Sequence, residues 1–163
     1  MLVYVNHDDM RSLELMEEMI RRGYYVSDQQ KDMRYADVIY LGVKGIDRKN
    51  RLLTNKETVV IEEEMFTKLK PKCLIVTLVH NGYLEELAMR YGFCYRGLLE
   101  KEDFIVKNSI LTAEGLISYI ISHRRDPIYQ SRIMVLGFGH CAKPIIIYLV
   151  AMNADVSVGV RNP

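Results

Sequence analysis

The sequence contains little of what marks several large protein classes. It has no tryptophan, four prolines and three cysteines among 163 residues. Three widely spaced cysteines do not make a disulfide framework, and neither they nor the four histidines show the spacing of a metal site. These absences argue against a disulfide-rich secreted domain and against a metal centre. They are typical of a protein from a reducing cytoplasm.

An excess of charge of one sign and long apolar segments are also missing. The formal net charge is +1, from 22 basic and 21 acidic residues, which argues against a dedicated nucleic-acid binder. We find no apolar run of membrane-spanning length, and the N-terminus lacks the basic and apolar segments of a signal peptide. With 49% hydrophobic and 26% charged residues, the composition is that of an ordinary globular protein. The length suits one domain, or one domain and a fragment.

The most informative segment lies near the C-terminal end of the sequence. Residues 132–142, RIMVLGFGHCA, predict a short buried strand, a glycine turn and the start of a helix. This is the G-x-G-x-x-A form of the dinucleotide fingerprint. Gly137 allows a sharp turn, Gly139 allows the backbone to approach a pyrophosphate, and Ala142 allows the helix to lie close to the strand.

The residues around this motif complete a strand–helix–strand unit. Residues 145–152 predict an apolar helix, and residues 155–160 alternate as a second strand. This context favours a nucleotide site over a plain structural turn. His140 and Cys141 lie inside the turn, where His140 is able to donate to the pyrophosphate. For Cys141, a small residue in a tight turn is favoured over a thiol activated by the helix start.

The residues after the second strand indicate which dinucleotide is bound. An acidic residue at that position binds the ribose hydroxyls of NAD, but this sequence has Arg161 and Asn162. A guanidinium suits the 2′-phosphate of NADP, so we expect NADP in preference to NAD. The alternative is that Arg161 is a solvated residue at a strand end. Since the fold uses about six strands, we expect residues 131–163 to form a partial Rossmann domain that binds NAD(P).

The first hundred residues predict a parallel α/β domain. Strands and helices alternate five times, and the strongest strand is Cys73–Val79, followed by a turn at His80–Gly82. Such alternation predicts right-handed crossovers and a flavodoxin-like or Rossmann-like parallel sheet, here over residues 1–107. Residues 108–130 are expected to form a linking helix, starting near Asn108, and a joint before the nucleotide strand.

Loops at the carboxyl ends of parallel strands hold ligands in such folds. Arg11 is equally consistent with a partner for a substrate carboxylate and with a solvated residue in a first helical turn. For Asn108, Ser109 and Thr112, capping of the linking helix is the favoured role. Glu114 is either a surface residue or a carboxylate that faces a cleft.

Together these motifs resemble the dipicolinate synthase A family, over all of this sequence and roughly the first half of that family's chain. The resemblance lies in DMRSLEL at 9–15, NGYLEE at 81–86, EKEDF at 100–104, NSILTAEG at 108–115 and the glycine turn through Arg161. It implies an NADP-dependent oxidoreductase that converts dihydrodipicolinate to dipicolinate during spore formation. It also implies a set of polar residues that bind the substrate: Asp9, Arg11, Asn81, Asn108, Ser109, Thr112 and Glu114.

The resemblance further implies a cleft between two α/β domains and a flavoprotein-like partner polypeptide, dipicolinate synthase B. The phosphate turn departs from the family pattern, since His140-Cys141-Ala142 stands where the family more often has an arginine and a closing glycine. We expect the chain to be inactive alone. We also expect a homo-oligomer, such as a dimer, because a lone strand–helix–strand unit leaves a sheet edge and apolar faces uncovered. One alternative function is a non-catalytic truncated module that self-associates. Another is a fragment of a different 2-hydroxy-acid or shikimate-type dehydrogenase.

Overall fold

The computed structural model describes residues 1–7, 9–53 and 59–161. It divides into two compact units, Met1–Glu100 and Lys101–Pro163, which are described separately below. The sequence-based boundary between the first domain and the linking helix lies at 107/108, seven residues later. The prediction of a parallel-sheet α/β domain followed by a βαβ unit is confirmed.

Unit 1 is built on a five-stranded sheet in which every pairing is parallel. Its strands stand in the order β2-β1-β3-β4-β5. This is the flavodoxin-like order, in which the chain moves outward from β1 first to one side and then to the other. The strands are β1 Leu2–Val5, β2 Tyr25–Ser27, β3 Val38–Tyr40, β4 Leu74–Thr77 and β5 Cys94–Gly97.

The longer helices of unit 1 begin where the sequence offers a side-chain cap. The helices are α1 Met10–Arg21, α2 Glu63–Thr67 and α3 Gly82–Tyr91, and two 3-10 helices cover Gln30–Tyr35 and Leu98–Glu100. Asp9 caps α1 and Asn81 caps α3, each accepting from a backbone N–H three residues on. Gly92 ends α3 in a left-handed conformation, with φ of 79°, which costs glycine little.

The core of unit 1 lies between the sheet and the segments that carry α2 and α3. Phe66 is 1% exposed, and its ring stacks at 6.2 Å from Tyr91 and 5.8 Å from Phe93. Ile39 and Ile75, opposite each other on β3 and β4, are completely buried in the same cluster. Continuous burial of aliphatic and aromatic side chains explains why these strands read as near-unbroken apolar runs.

Unit 2 contains one long helix and the βαβ unit. Its elements are α4 Glu102–His123, β6 Arg132–Leu136, α5 Ala142–Ala151 and β7 Asp155–Gly159. Strands β6 and β7 pair in parallel over their full length. Asn153 ends the turn after α5 with φ of 58°, a left-handed conformation that asparagine tolerates better than most residues.

Helix α4 begins six residues before the start predicted at Asn108. The signal for the true start is acidic, because Glu102 and Asp103 occupy the first turn, where carboxylates favour the positive end of the helix dipole. Asn108, Ser109 and Thr112 therefore lie inside the helix, and the capping role favoured for them is wrong.

The same helix corrects the expectation of no membrane-spanning run. α4 has 22 residues and a window of mean hydropathy 1.3, of which 11% is buried in the structure. By length and composition alone it is able to cross a membrane. The sequence pattern hides it, because scattered polar residues break the apolar run although the mean hydropathy of the window stays at 1.3. One such helix is weak support for a membrane location, since helices of globular proteins pass the same test.

Candidate functional site

The glycine turn follows β6 in unit 2 and is tied to the end of β7. Gly137 has φ of +102°, a conformation that side-chain-bearing residues rarely adopt. Its N–H donates to the carbonyl of Gly159 at 2.7 Å. At Gly139 a Cβ would meet nothing within 4 Å, so the space in front of this backbone is open. The turn thus combines a bend that requires glycine with an accessible backbone surface.

Helix α5 starts at Ala142 directly after this turn. Cys141 occupies the cap position in a helical conformation, and its side chain makes no capping hydrogen bond. The N–H of Lys143 donates to the Gly139 carbonyl at 3.2 Å. The start of α5 therefore presents a positive dipole end without a side-chain cap, which is the arrangement that accepts anions.

Charged side chains stand on both sides of the turn. His140 Nδ1 lies 3.6 Å from a carboxylate oxygen of Glu102, at the start of α4. The ammonium of Lys143 lies 5.7 Å from the centre of the Phe138 ring. Arg161 follows β7, is exposed, and forms no ion pair among the described residues. Asn162, predicted with it, lies outside the described residues.

The predicted residues Asp9 and Arg11 form a pair at the start of α1. Asp9 Oδ1 accepts from the N–H of Ser12 at 2.9 Å, and Arg11 Nε donates to Asp9 Oδ2 at 2.9 Å. Burial works to raise the pKa of Asp9, but the hydrogen bonds from Ser12 and Arg11 outweigh it and leave the pKa below its usual value. A substrate carboxylate would have to compete with Asp9 for the Arg11 guanidinium.

Asn81 is fully engaged in holding the loop before α3. Its Oδ1 accepts from Leu84 N at 2.9 Å, and its Nδ2 donates to the carbonyls of Lys44 and Ile46 at 2.6 and 2.8 Å. Gly45 lies against it with φ of +74°, where a Cβ would stand 2.8 Å from Leu84 Cδ1. The side chain of Asn81 therefore has a structural task, and both of its donor hydrogens are used.

A histidine–carboxylate cluster, which the sequence motifs do not predict, lies at the carboxyl ends of β4 and β5. His80 Nδ1 lies 3.0 Å from Glu100, and Nε2 lies 3.6 Å from Glu85. Gly97 allows this approach, because a Cβ there would stand 3.0 Å from both the Glu100 carboxylate and the His80 backbone. No local motif links residues 80 and 100, so only the parallel pairing of β4 with β5 reveals the cluster.

The candidate residues on α4 differ in what they contact. Ser109 is 4% exposed and donates to the Val106 carbonyl at 2.7 Å, while Thr112 donates to the Asn108 carbonyl at 2.7 Å. The Tyr148 hydroxyl of α5 donates to Glu114 at 3.4 Å. Glu114 and Tyr148 line a groove of about 360 Å³ between α4 and α5, together with Ile117, Ser118, Ile121 and Ser122.

The predicted residues therefore fall into four groups. The turn residues, Gly137 to Ala142, lie together in unit 2. Asp9 and Arg11 lie together at the start of α1, and Asn81 is at a separate strand end in the same unit. Residues 108–114 share α4. Among the described residues, no group of three or more histidine, cysteine or acidic side chains is placed to hold a metal ion.

Comparisons with known proteins agree with the resemblance seen in the sequence. No protein-family model matches the chain. Dipicolinate synthase A of Bacillus subtilis is 32% identical over 108 residues, which are 66% of this chain and 36% of that protein. The crystal structure of dipicolinate synthase A from Bacillus halodurans matches with a TM-score of 0.75 and 26% identity, covering 99% of this chain and 62% of that one.

A more distant structure shares the fold. D-lactate dehydrogenase from Lactobacillus jensenii, solved with NAD⁺, matches with a TM-score of 0.52 and 14% identity, over 97% of this chain and 53% of that one. The predicted resemblance to dipicolinate synthase A is confirmed. The chain spans less than two thirds of the length of each of these relatives.

Proposed function

We propose that the chain is the N-terminal portion of an NADP-dependent oxidoreductase of the dipicolinate synthase A type. The observation that carries this proposal is the glycine turn. Gly137 holds a conformation that favours glycine, the backbone at Gly139 is open, and α5 starts without a side-chain cap. A pyrophosphate placed there would receive backbone N–H groups and the helix dipole.

The preference for NADP rests on Arg161. Its position after β7 is where an acidic residue would bind the ribose hydroxyls of NAD. Arg161 has no ion-pair partner among the described residues, so its guanidinium is available to a 2′-phosphate. When bound, the nicotinamide cofactor accepts a hydride from the substrate ring. In this proposal, unit 2 binds and orients the pyrophosphate at the glycine turn and the 2′-phosphate at Arg161.

The substrate class we propose is a small dicarboxylate such as dihydrodipicolinate. Arg11 supports this, because its side chain is 63% exposed and its guanidinium matches the geometry of a carboxylate. Asp9 already accepts from it, so we expect substrate to displace this local pair. Ser109 is buried and donates its hydroxyl to the helix backbone. We therefore propose that it holds the helix segment in place and that Asn108 and Thr112 are the residues of this segment that face the substrate.

We propose that these 163 residues alone do not catalyse the reaction, because they supply only two strands of a dinucleotide domain that uses about six. The same proposal includes a flavoprotein-like partner that resembles dipicolinate synthase B, a role in spore formation and a cytoplasmic location. The three cysteines are free in the structure, in keeping with a reducing compartment.

The test is a calorimetric titration of the chain with NADP⁺ and with NAD⁺. We expect NADP⁺ to bind more tightly, and Arg161→Ala to remove the difference while leaving NAD⁺ binding unchanged. Arg125→Ala, which removes an exposed arginine elsewhere in unit 2, is the matched control and should bind both as the wild type does. Equal affinity for the two dinucleotides in the wild type would exclude the NADP preference, and no binding of either would exclude the cofactor site.

A second candidate function is a non-catalytic module that self-associates. It is favoured by Met134 and Leu136, which lie on one face of β6 and are 68% and 81% exposed. Parallel sheets normally bury both faces, so these side chains are candidates for a contact with a second copy. Analytical ultracentrifugation over a range of concentrations tests this, and a monomer at every concentration would exclude it.

A further inference from the structure

One buried polar side chain in unit 1 has a donor without an acceptor. Asn6 directly follows β1, and its backbone N–H donates to the Tyr40 carbonyl at 2.9 Å. The residue is 9% exposed. Its side-chain nitrogen, Nδ2, is buried, and among the described residues it has no hydrogen-bond partner. Buried amide groups are normally paired, because an unmade hydrogen bond is costly. The donor at Asn6 therefore indicates an acceptor that those residues do not supply.

Asn6 lies where parallel sheets of this strand order bind ligands. β1 stands between β2 and β3. The chain leaves β1 through α1 toward β2 on one side, whereas it leaves β3 toward β4 on the other side. The loops after β1 and β3 therefore diverge, and the crevice between them is the ligand position in flavodoxin-like sheets. Because Asn6 bonds to Tyr40, the final residue of β3, it stands where this crevice opens.

The core of unit 1 closes one approach to the Asn6 side chain. Successive side chains of a strand alternate between the two faces of the sheet. Asn6 therefore continues the face of Tyr4, which is 2% exposed and belongs to the core cluster. On the other side, His7 directly after Asn6 is exposed. A ligand would thus reach Nδ2 from the loop that joins β1 to α1.

Two carboxylates described at this end of the sheet are already engaged. Both oxygens of Asp9 accept hydrogen bonds from residues at the start of α1. Asp28, which follows β2, accepts from Gln29 through Oδ1 and lies 3.9 Å from His7 through Oδ2. Neither carboxylate is paired with Asn6, so an acceptor carried by a ligand fits this position.

We infer that Asn6 donates through Nδ2 to a carboxylate oxygen of the substrate, and so helps unit 1 to select a dicarboxylate. The ligand class follows from the donors at this site. The amide carries two N–H donors, and Arg11, in the first turn of α1, has an exposed guanidinium that matches a carboxylate. The inference rests on the proposed function, since it adds to the proposed substrate site a residue that the sequence motifs do not indicate.

Dipicolinate is the probe, because the proposed reaction forms it and because it carries two carboxylates on a rigid ring. Its binding to the chain is measured by calorimetry without dinucleotide, in buffer free of the divalent metal ions that dipicolinate chelates. Pyridine, which keeps the ring and lacks both carboxylates, is the control ligand. We expect dipicolinate to bind and pyridine not to bind. Equal binding of pyridine would overturn the recognition of a carboxylate.

Asn6→Leu separates binding from folding, because leucine is close to asparagine in size but has no donor. It should weaken dipicolinate binding about tenfold or more, the loss expected for a hydrogen bond to a charged group. It should unfold at the same temperature as the wild type or a higher one, because a buried donor without a partner is removed. Asn6→Ala should show the same loss of binding, and it keeps the test decisive if Asn6→Leu does not fold.

Two control variants change polar side chains elsewhere in unit 1. Gln29→Leu removes an exposed amide just after the neighbouring strand β2 and should bind dipicolinate as the wild type does. Thr77→Val removes a buried hydroxyl that has a partner, the Tyr95 hydroxyl at 2.7 Å. It should lower the unfolding temperature without changing dipicolinate binding. Opposite effects of Asn6→Leu and Thr77→Val on stability would identify Asn6 as a donor that serves binding.

The outcomes separate this inference from the proposed function. Dipicolinate binding that is unchanged in both Asn6 variants overturns the inference and leaves the dicarboxylate class standing. No binding of dipicolinate by the wild type overturns the inference together with the proposed substrate class, whereas the dinucleotide site is tested by its own titration. A fall in the unfolding temperature of Asn6→Leu as large as that of Thr77→Val indicates a structural role for Asn6 and also overturns the inference.

Discussion

The two units differ in how completely they cover their apolar side chains. Unit 1 encloses a large cluster around Phe66, Ile75 and Leu84, each at most 1% exposed. In the described part of unit 2, the buried apolar residues are Ala113, Ile128 and Leu149, while α4, β6 and α5 expose many large ones. The difference follows from strand number, because a five-stranded parallel sheet offers interior positions that a two-stranded sheet lacks.

This contrast indicates where each unit's stability and function reside. Unit 1 has the interior of a self-sufficient domain. Unit 2 has the local geometry of a dinucleotide turn, which depends on backbone conformation and needs little buried volume. The binding surface proposed for it depends on the hydrogen bond from Gly137 N–H to the Gly159 carbonyl and on the start of α5, and the apolar surface of the unit is largely uncovered.

A matched pair of phenylalanine substitutions should give the largest difference between the units in the loss of stability. Phe66→Ala removes a ring buried between Tyr91 and Phe93, and we expect it to lower the free energy of unfolding of unit 1 by about 3–5 kcal/mol. Phe138→Ala removes a ring that is 57% exposed in unit 2 and should change the free energy of unfolding of that unit by less than about 0.5 kcal/mol. Urea unfolding followed by circular dichroism measures both, and similar losses would contradict the contrast between the units.

Substitution of two glycines with positive φ, one in each unit, tests how strongly each turn requires glycine. Gly45→Ala in unit 1 combines φ of +74° with a Cβ 2.8 Å from Leu84 Cδ1, whereas Gly137→Ala in unit 2 has φ of +102° and open space around the Cβ. We expect a loss of about 2–3 kcal/mol for Gly45→Ala, from strain and overpacking, and about 1 kcal/mol for Gly137→Ala, from strain alone. A larger loss at Gly137 in thermal unfolding would mean that the phosphate turn is packed more tightly than the structure shows.

Some of these features can be predicted from the sequence and others cannot, and the difference is how far apart in the chain the interacting residues lie. The strand at Leu74–Thr77, the turn that leads into α3 and the glycine turn before α5 are specified by residues close together in the chain, and each is found where predicted. The contact of His80 with Glu100 depends on the pairing of two strands and has no local signal. The start of α4 is predicted too late because Asn108 is a good cap residue, although acidic residues in the preceding turns already favour a helix start.

Acid should weaken unit 1 through the cap of α1. The pKa of Asp9 is lowered in the folded protein by hydrogen bonds from Ser12 and Arg11, against the effect of burial. A lowered carboxyl pKa contributes stability that is present above the unfolded value, about 3.9, and is lost as the pH falls through the folded value. We expect Asp9→Ala to cost about 1 kcal/mol at pH 7 and to flatten the acid limb of the stability curve below about pH 4.

The control for this prediction is Asp9→Asn, which keeps a capping oxygen but carries no charge. It should retain most of the stability at neutral pH and lose the acid dependence. If Asp9→Ala and the wild type lose stability in parallel as the pH falls, another carboxylate is responsible. Asp37 is then the next candidate, since its pKa is also lowered, chiefly by the hydrogen bond from Lys70.

The smallest effect on stability and the clearest effect on association are expected on the uncovered face of β6. Leu136→Ser and Met134→Ser change side chains that are already 81% and 68% exposed, so the free energy of unfolding should move by less than about 0.5 kcal/mol. If two copies bury these side chains against each other, the double variant should shift the monomer–dimer equilibrium strongly toward monomer in sedimentation experiments. Met89→Ser, 80% exposed on α3 of unit 1, is the matched control. An equal shift with Met89→Ser would place the contact on unit 1, and the difference in apolar coverage between the units would then not govern association.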